Sequence, residues 1–143
     1  MIERPVSLNP AVQILESILV ALQAETQQKY ARECCGLLAG REGVITRAFP
    51  ATNVASNLAT AYDIAPKELF RLMREIRAAK LEMLGIYHSH PNGENVPSPR
   101  DIERAYYPDA VYIIVSPLAD APKPVRAFSI RDDLATELEI QII

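Results

Sequence analysis

Apolar side chains recur at helical spacing at Val12, Leu15, Ile18, Leu19 and Leu22, following an Asn9-Pro10 pair suited to a cap and first turn. They predict a helix over 10–29 with Gln13, Glu16, Gln23 and Glu25 on its wet face. The pattern then shortens. Gly36 to Ala39 is a short apolar strand, 40–43 a turn and Val44 to Phe49 the returning strand. Residues 50–60 are rich in Ala, Asn, Thr and Ser and predict a loop, with Asn53 and Asn57 as turn formers or as the lining of a substrate groove. Tyr62 to Ile64 predicts a short edge strand. Pro66 opens a second helix, with Leu69, Leu72, Met73 and Ile76 facing inward and Lys67, Arg71, Arg74, Glu75 and Arg77 facing water. Residues 83–87 run apolar into His88, as a buried strand that stops at Pro91. A short helix is expected from Pro99 to about Tyr107, followed by a buried, β-branched strand from Asp109 to Ser116. Val125 to Arg131 alternates, 131–133 turns the chain, and Glu137 to Ile142 alternates again as a final strand. Several strands with two long helices, one short helix and no internal linker predict an α/β fold over 1–143. Its form is a single-domain mixed β-sheet flanked by helices.

Composition narrows this little. The chain has 143 residues, 49% hydrophobic and 23% charged, which is ordinary globular usage. A domain of this size buries about two-thirds of the surface of its extended chain. A formal charge of −3 without a Lys/Arg cluster argues against nucleic acid or an anionic membrane as partner. The first five residues lack the basic-then-apolar pattern of a signal peptide, and no run of about 18 apolar residues is present. A cytoplasmic protein is expected. Cys34 and Cys35 are adjacent, so a disulfide between them is sterically difficult and free thiols in a reducing compartment are expected.

The chemistry is concentrated in one stretch. Both histidines of the chain, His88 and His90, stand two apart at the end of the predicted central strand. On a strand they share a face, about 7 Å apart at the backbone, with Ser89 turned the other way. Two imidazoles so placed can lean onto one ion. A hydrolytic zinc site takes three protein ligands and leaves a fourth position to water. Asp101, in the first turn of the predicted short helix, is the candidate third ligand. Spacing alone leaves two readings open, because Ser98-x-x-Asp101 is also a capping-box start and most His-x-His pairs are structural.

His88-Ser89-His90, seven residues, Ser98, two residues and Asp101 together resemble the H-[ST]-H-x7-S-x2-D signature of the JAMM (MPN-plus) zinc metalloproteases. Glu33, just before the Gly36-Leu37-Leu38 strand, resembles the upstream glutamate of that family. The resemblance covers about residues 10–143 and, by length, points to the small stand-alone prokaryotic type. It implies an MPN/JAMM-like, cytidine-deaminase-like architecture. It further implies Zn2+ held by His88, His90 and Asp101, with Glu33 as general base and Ser98 as donor to the oxyanion. Ser98 is then wanted for two roles, helix cap and oxyanion donor. The implied substrate is a peptide or isopeptide bond after the C-terminal glycine of a ubiquitin-like (β-grasp) modifier or sulfur-carrier protein with a Gly-Gly tail. Such a tail is expected to lie extended along a sheet edge. The alternative is a non-catalytic MPN-type scaffold, whose relatives typically lack some of these ligands. A deaminase-like zinc enzyme would carry His-x-Glu and Pro-Cys-x-x-Cys, and neither occurs in the chain.

Overall fold

The computed structural model describes residues 11–118 and 120–143. Eight strands, β1 (Val12–Ile14), β2 (Cys35–Arg41), β3 (Val44–Ala51), β4 (Glu82–Ser89), β5 (Val111–Val115), β6 (Val125–Arg131), β7 (Leu134–Leu138) and β8 (Ile140–Ile142), form one sheet. Three helices, α1 (Glu16–Gln28), α2 (Pro66–Ala78) and α3 (Pro99–Glu103), accompany it among the described residues. The strand order is β7-β6-β5-β4-β2-β3-β1-β8. Pairing is mixed: β4 runs parallel to β5, and β1 runs parallel to both β3 and β8, while the other neighbours are antiparallel.

Two-residue turns set both tight hairpins. Glu42 and Gly43 have φ of 51° and 79°, and Asp132 and Asp133 have φ of 51° and 63°. Positive φ at both central positions gives the twist that matches paired strands.

The sheet is buried on both faces. On one face Leu37, Ile86, Tyr112 and Phe128 pack against Leu72 and Ile76 of α2. On the other, side chains from all eight strands gather with Leu19 and Leu22 of α1. That convergence follows from the wrapping of the sheet. Its outermost strands, β7 and β8, are separated in sequence only by Glu139, and consecutive Cα atoms are about 3.8 Å apart. The two edges must therefore lie close together. The Val12 amide donates to the Glu139 carbonyl at 2.7 Å, across that join.

Four expectations are corrected. The first helix begins at Glu16, because Val12 and Ile14 are buried as alternate residues of a strand paired on both sides; Asn9 and Pro10 lie outside the described residues. Tyr62 to Ile64 joins no strand. The short helix stops at Glu103, before Tyr107. The last alternating run is two strands that serve opposite edges of the sheet. Among the described residues, no helix is long and apolar enough to cross a membrane.

Candidate metal centre and active site

His88 is fixed by the sheet. It lies opposite Cys35 of β2 and Ile114 of β5, so β4 is bonded on both sides at that point. Ser89 faces the other way, as alternation requires, and its Oγ accepts from the Cys34 amide at 2.9 Å. The chain then leaves the strand, with the His90 amide donating to the Val115 carbonyl at 3.0 Å. His90 Nδ1 lies 2.8 Å from the Glu94 carbonyl. A carbonyl only accepts, so Nδ1 carries the proton and the neutral ring presents a lone pair at Nε2.

Asp101 arrives from α3. Ser98 caps that helix: its Oγ accepts from the Asp101 amide at 3.1 Å, while its own amide donates to Asp101 Oδ2 at 2.9 Å. This reciprocal box, with Pro99 at the first helical position, starts the helix and aims the carboxylate. Asp101 Oδ2 lies 3.2 Å from His88 Nε2 and 3.0 Å from His90 Nε2, and the two ring nitrogens are 3.1 Å apart. Donors at about 2.0–2.1 Å from a tetrahedral ion stand about 3.3 Å from each other. The triangle thus has nearly the size of one face of such a shell. The donor set, two imidazole nitrogens and a carboxylate oxygen, also suits it.

Glu33, in the segment between α1 and β2, is 5% exposed. With His88 and His90 it offers donor atoms that lie within 4.8 Å of one another. The His pair is common to both possible sets, and the one with Asp101 is the more tightly drawn. Glu33 Oε1 and His88 Nδ1 are buried without a hydrogen-bond partner among the described residues. The His88 ring is instead stacked on Tyr62, with centroids 4.4 Å apart.

Electrostatics divide these groups. Burial pushes the Glu33 carboxyl up to about 7; the His90 imidazole opposes this shift and the Asp101 carboxylate adds to it. Complete burial pushes His88 down, against the pull of Asp101. Burial also works against charge on His90, but the Asp101 hydrogen bond and the Glu94 carbonyl outweigh it and raise its pKa. Asp101 is held well below the usual carboxylate range, because bonds from both imidazoles outweigh its desolvation. The result is one carboxylate ionised beside two imidazoles and a second carboxyl poised near neutrality, a division of labour suited to acid–base chemistry. Beside Asp101 a cleft of about 170 Å3 opens between Tyr62, Ile64, Leu69, Arg100 and Tyr106.

All five residues singled out from the sequence therefore gather at one end of β4: His88, His90 and Asp101 form the triangle, Ser98 is bonded to Asp101, and Glu33 lies beside the two histidines without a bond to them. One contributor had no such signal: Tyr62, which packs on His88, lies in a segment predicted as an edge strand.

Known proteins resemble the chain along the same lines. Residues 15–131 match the family described as prokaryotic homologs of the JAB domain. The desampylase of Haloferax volcanii is 42% identical over 87 residues, which take in 59% of this chain and 63% of that protein, less than two-thirds of its length. The CysO-cysteine peptidase of Mycobacterium tuberculosis is 33% identical over 132 residues, covering 91% of this chain and 90% of its own. A protein from Desulfitobacterium hafniense of known solution structure superposes with a TM-score of 0.80 at 30% identity, covering 92% of both chains. On the motif, the fold and the length matched, the chain belongs to the family of prokaryotic homologues of the JAB domain.

Proposed function

We propose that the protein is a zinc-dependent hydrolase that cleaves the peptide or isopeptide bond after the C-terminal glycine of a ubiquitin-like or sulfur-carrier protein. It acts as a single domain over residues 1–143. The observation that carries this reading is the triangle of His88 Nε2, His90 Nε2 and Asp101 Oδ2, with sides of 3.0–3.2 Å, beside a buried carboxyl. The relatives named desampylase and CysO-cysteine peptidase support the substrate class.

His88, His90 and Asp101 hold the ion in this reading. Zinc bound there supplies Lewis acidity, which brings the pKa of a water down towards about 7. Glu33 would take a proton from the attacking water and deliver it to the departing amine, a task for which a buried carboxyl beside the two histidines is suited. Ser98 Oγ accepts from the Asp101 amide through a lone pair, which leaves its hydroxyl proton to donate to the developing oxyanion. Cap and donor are thus compatible roles for one side chain. The cleft beside Asp101 receives the tail. The buried thiols support a reducing, cytoplasmic setting: burial pushes Cys35 up to about 12 and raises Cys34, which keeps both protonated.

The purified protein is expected to hold about one zinc per chain. It should also release the group that follows Gly-Gly in a β-grasp fusion, as read by mass spectrometry. Glu33→Gln should keep the metal and lose at least about 100-fold in turnover; His88→Ala should lose both metal and turnover. Cleavage that persists after complete removal of metal would falsify the reading, and zinc binding without any cleavage would favour the protein-binding scaffold.

A further inference from the structure

We propose that Asn53 is a positioning residue for Glu33 and for the Tyr62 ring over His88, a role that rests on the reading of Glu33 as general base. Glu33 belongs to no helix or strand, so its carboxyl is only as well placed as its peptide is tethered. On the sheet side the tether is Cys34, which exchanges hydrogen bonds with Ser89 at 2.9 and 3.1 Å. On the opposite side both tethers come from the loop after β3. The Glu33 amide donates to the Leu58 carbonyl at 2.7 Å, and the Glu33 carbonyl accepts from Asn53 Nδ2 at 3.0 Å.

Asn53 uses its amide fully. Its second N–H donates to the Ala61 carbonyl at 2.9 Å, and Oδ1 accepts from the amides of Ala55 at 3.0 Å and Asp63 at 3.1 Å. Two donors and two lone pairs are the whole capacity of the group. The bonds to Ala61 and Asp63 bracket Tyr62, the residue whose ring stacks on His88. One side chain therefore fixes the peptide that carries the base and the peptide that carries the ring against a metal ligand. Only an amide can do so: aspartate keeps the acceptor half and loses both donors, leaving the Glu33 and Ala61 carbonyls without their partner.

A loop-holding role alone predicts something different, and Glu68 supplies the control. Glu68 Oε1 accepts from the Thr52 amide at 2.9 Å at the start of the same loop, away from Glu33 and Leu58. Zinc-loaded wild type, Asn53→Asp and Glu68→Ala are compared for kcat and KM on a Gly-Gly fusion. Amide exchange is measured by NMR on the same proteins without added metal. Asn53→Asp is expected to lose about 10- to 100-fold in kcat at unchanged KM, the cost of misplacing a reacting group by about 1 Å. Glu68→Ala should stay within about threefold of wild type. In Asn53→Asp the Cys34 amide, which shares its peptide with the Glu33 carbonyl, should exchange about tenfold faster, while those of Ala55 and Asp63, whose acceptor remains, keep their protection. Unchanged exchange at Cys34, or an equal loss of kcat in Glu68→Ala, overturns the assignment. A wild type that cleaves nothing overturns the hydrolase reading instead, and the exchange measurement still decides whether Asn53 holds Glu33.

Discussion

Burial moves the Glu33 carboxyl from 4.5 to about 7, with His90 opposing and Asp101 adding, and this has a measurable sign in the metal-free protein. Between those two values the folded chain still holds a proton that the unfolded chain has released. Rising pH through that window therefore weakens the fold. His88, pushed down by burial from 6.5, works in the opposite direction, because the unfolded chain then binds the extra proton. The wild-type curve mixes the two; the difference from a variant separates them. The thermal midpoint of Glu33→Gln relative to wild type should rise from about pH 4.5 to about pH 7 and then level. A difference that does not change with pH would count against a neutral buried carboxyl. At this scale the sequence is legible where spacing brings side chains together, as in His88, His90, Ser98 and Asp101. It is silent on Tyr62 and Asn53, whose parts depend on neighbours far along the chain.

Strand β2 shows what an element demands of a single position. A side chain added at Gly36 would put Cβ 2.5 Å from the Phe49 carbonyl oxygen and 2.6 Å from the Tyr87 ring. That ring has no easy retreat, since Tyr87 OH is bonded to Glu25 Oε1 of α1 at 2.5 Å. Gly36→Ala should therefore cost about 1–3 kcal/mol in urea unfolding, as overpacked cores do. Gly36 also neighbours Cys35, the partner of His88 in the ladder, so zinc affinity should fall in the same variant. A variant as stable as wild type would mean that β2 and β3 separate more readily than their pairing implies. Elements whose pattern is buried on one side, such as α2, are read directly from residue spacing. The 10–29 helix prediction starts too early because Val12 and Leu15 fit a helical repeat by position, while β1 pairs with β3 through Gln13 and Ile14 and with β8 from Val12 onward.

The whole molecule is organised by the wrapped sheet, and no local pattern announces that arrangement. Glu137 to Ile142 alternates as one strand would, yet the chain changes edge at Glu139. Ile140 joins the inner cluster and β8 covers β1, whose other side is taken by β3. Deleting residues 140–143 should uncover β1 and lower the thermal midpoint by at least about 5 °C, with more self-association on heating. An unchanged midpoint would show that β8 is decoration. The same arrangement sets how a partner can reach the metal-binding end of β4. Three strands lie on one side of it and four on the other, at about 4.8 Å per strand. A visiting peptide therefore cannot come alongside His88 as a ninth strand, and the expectation of a tail lying along a sheet edge is corrected at this site. It has to pass over the tops of the strands, as a rope crosses a row of posts, and take any backbone bonds from the irregular chain around them.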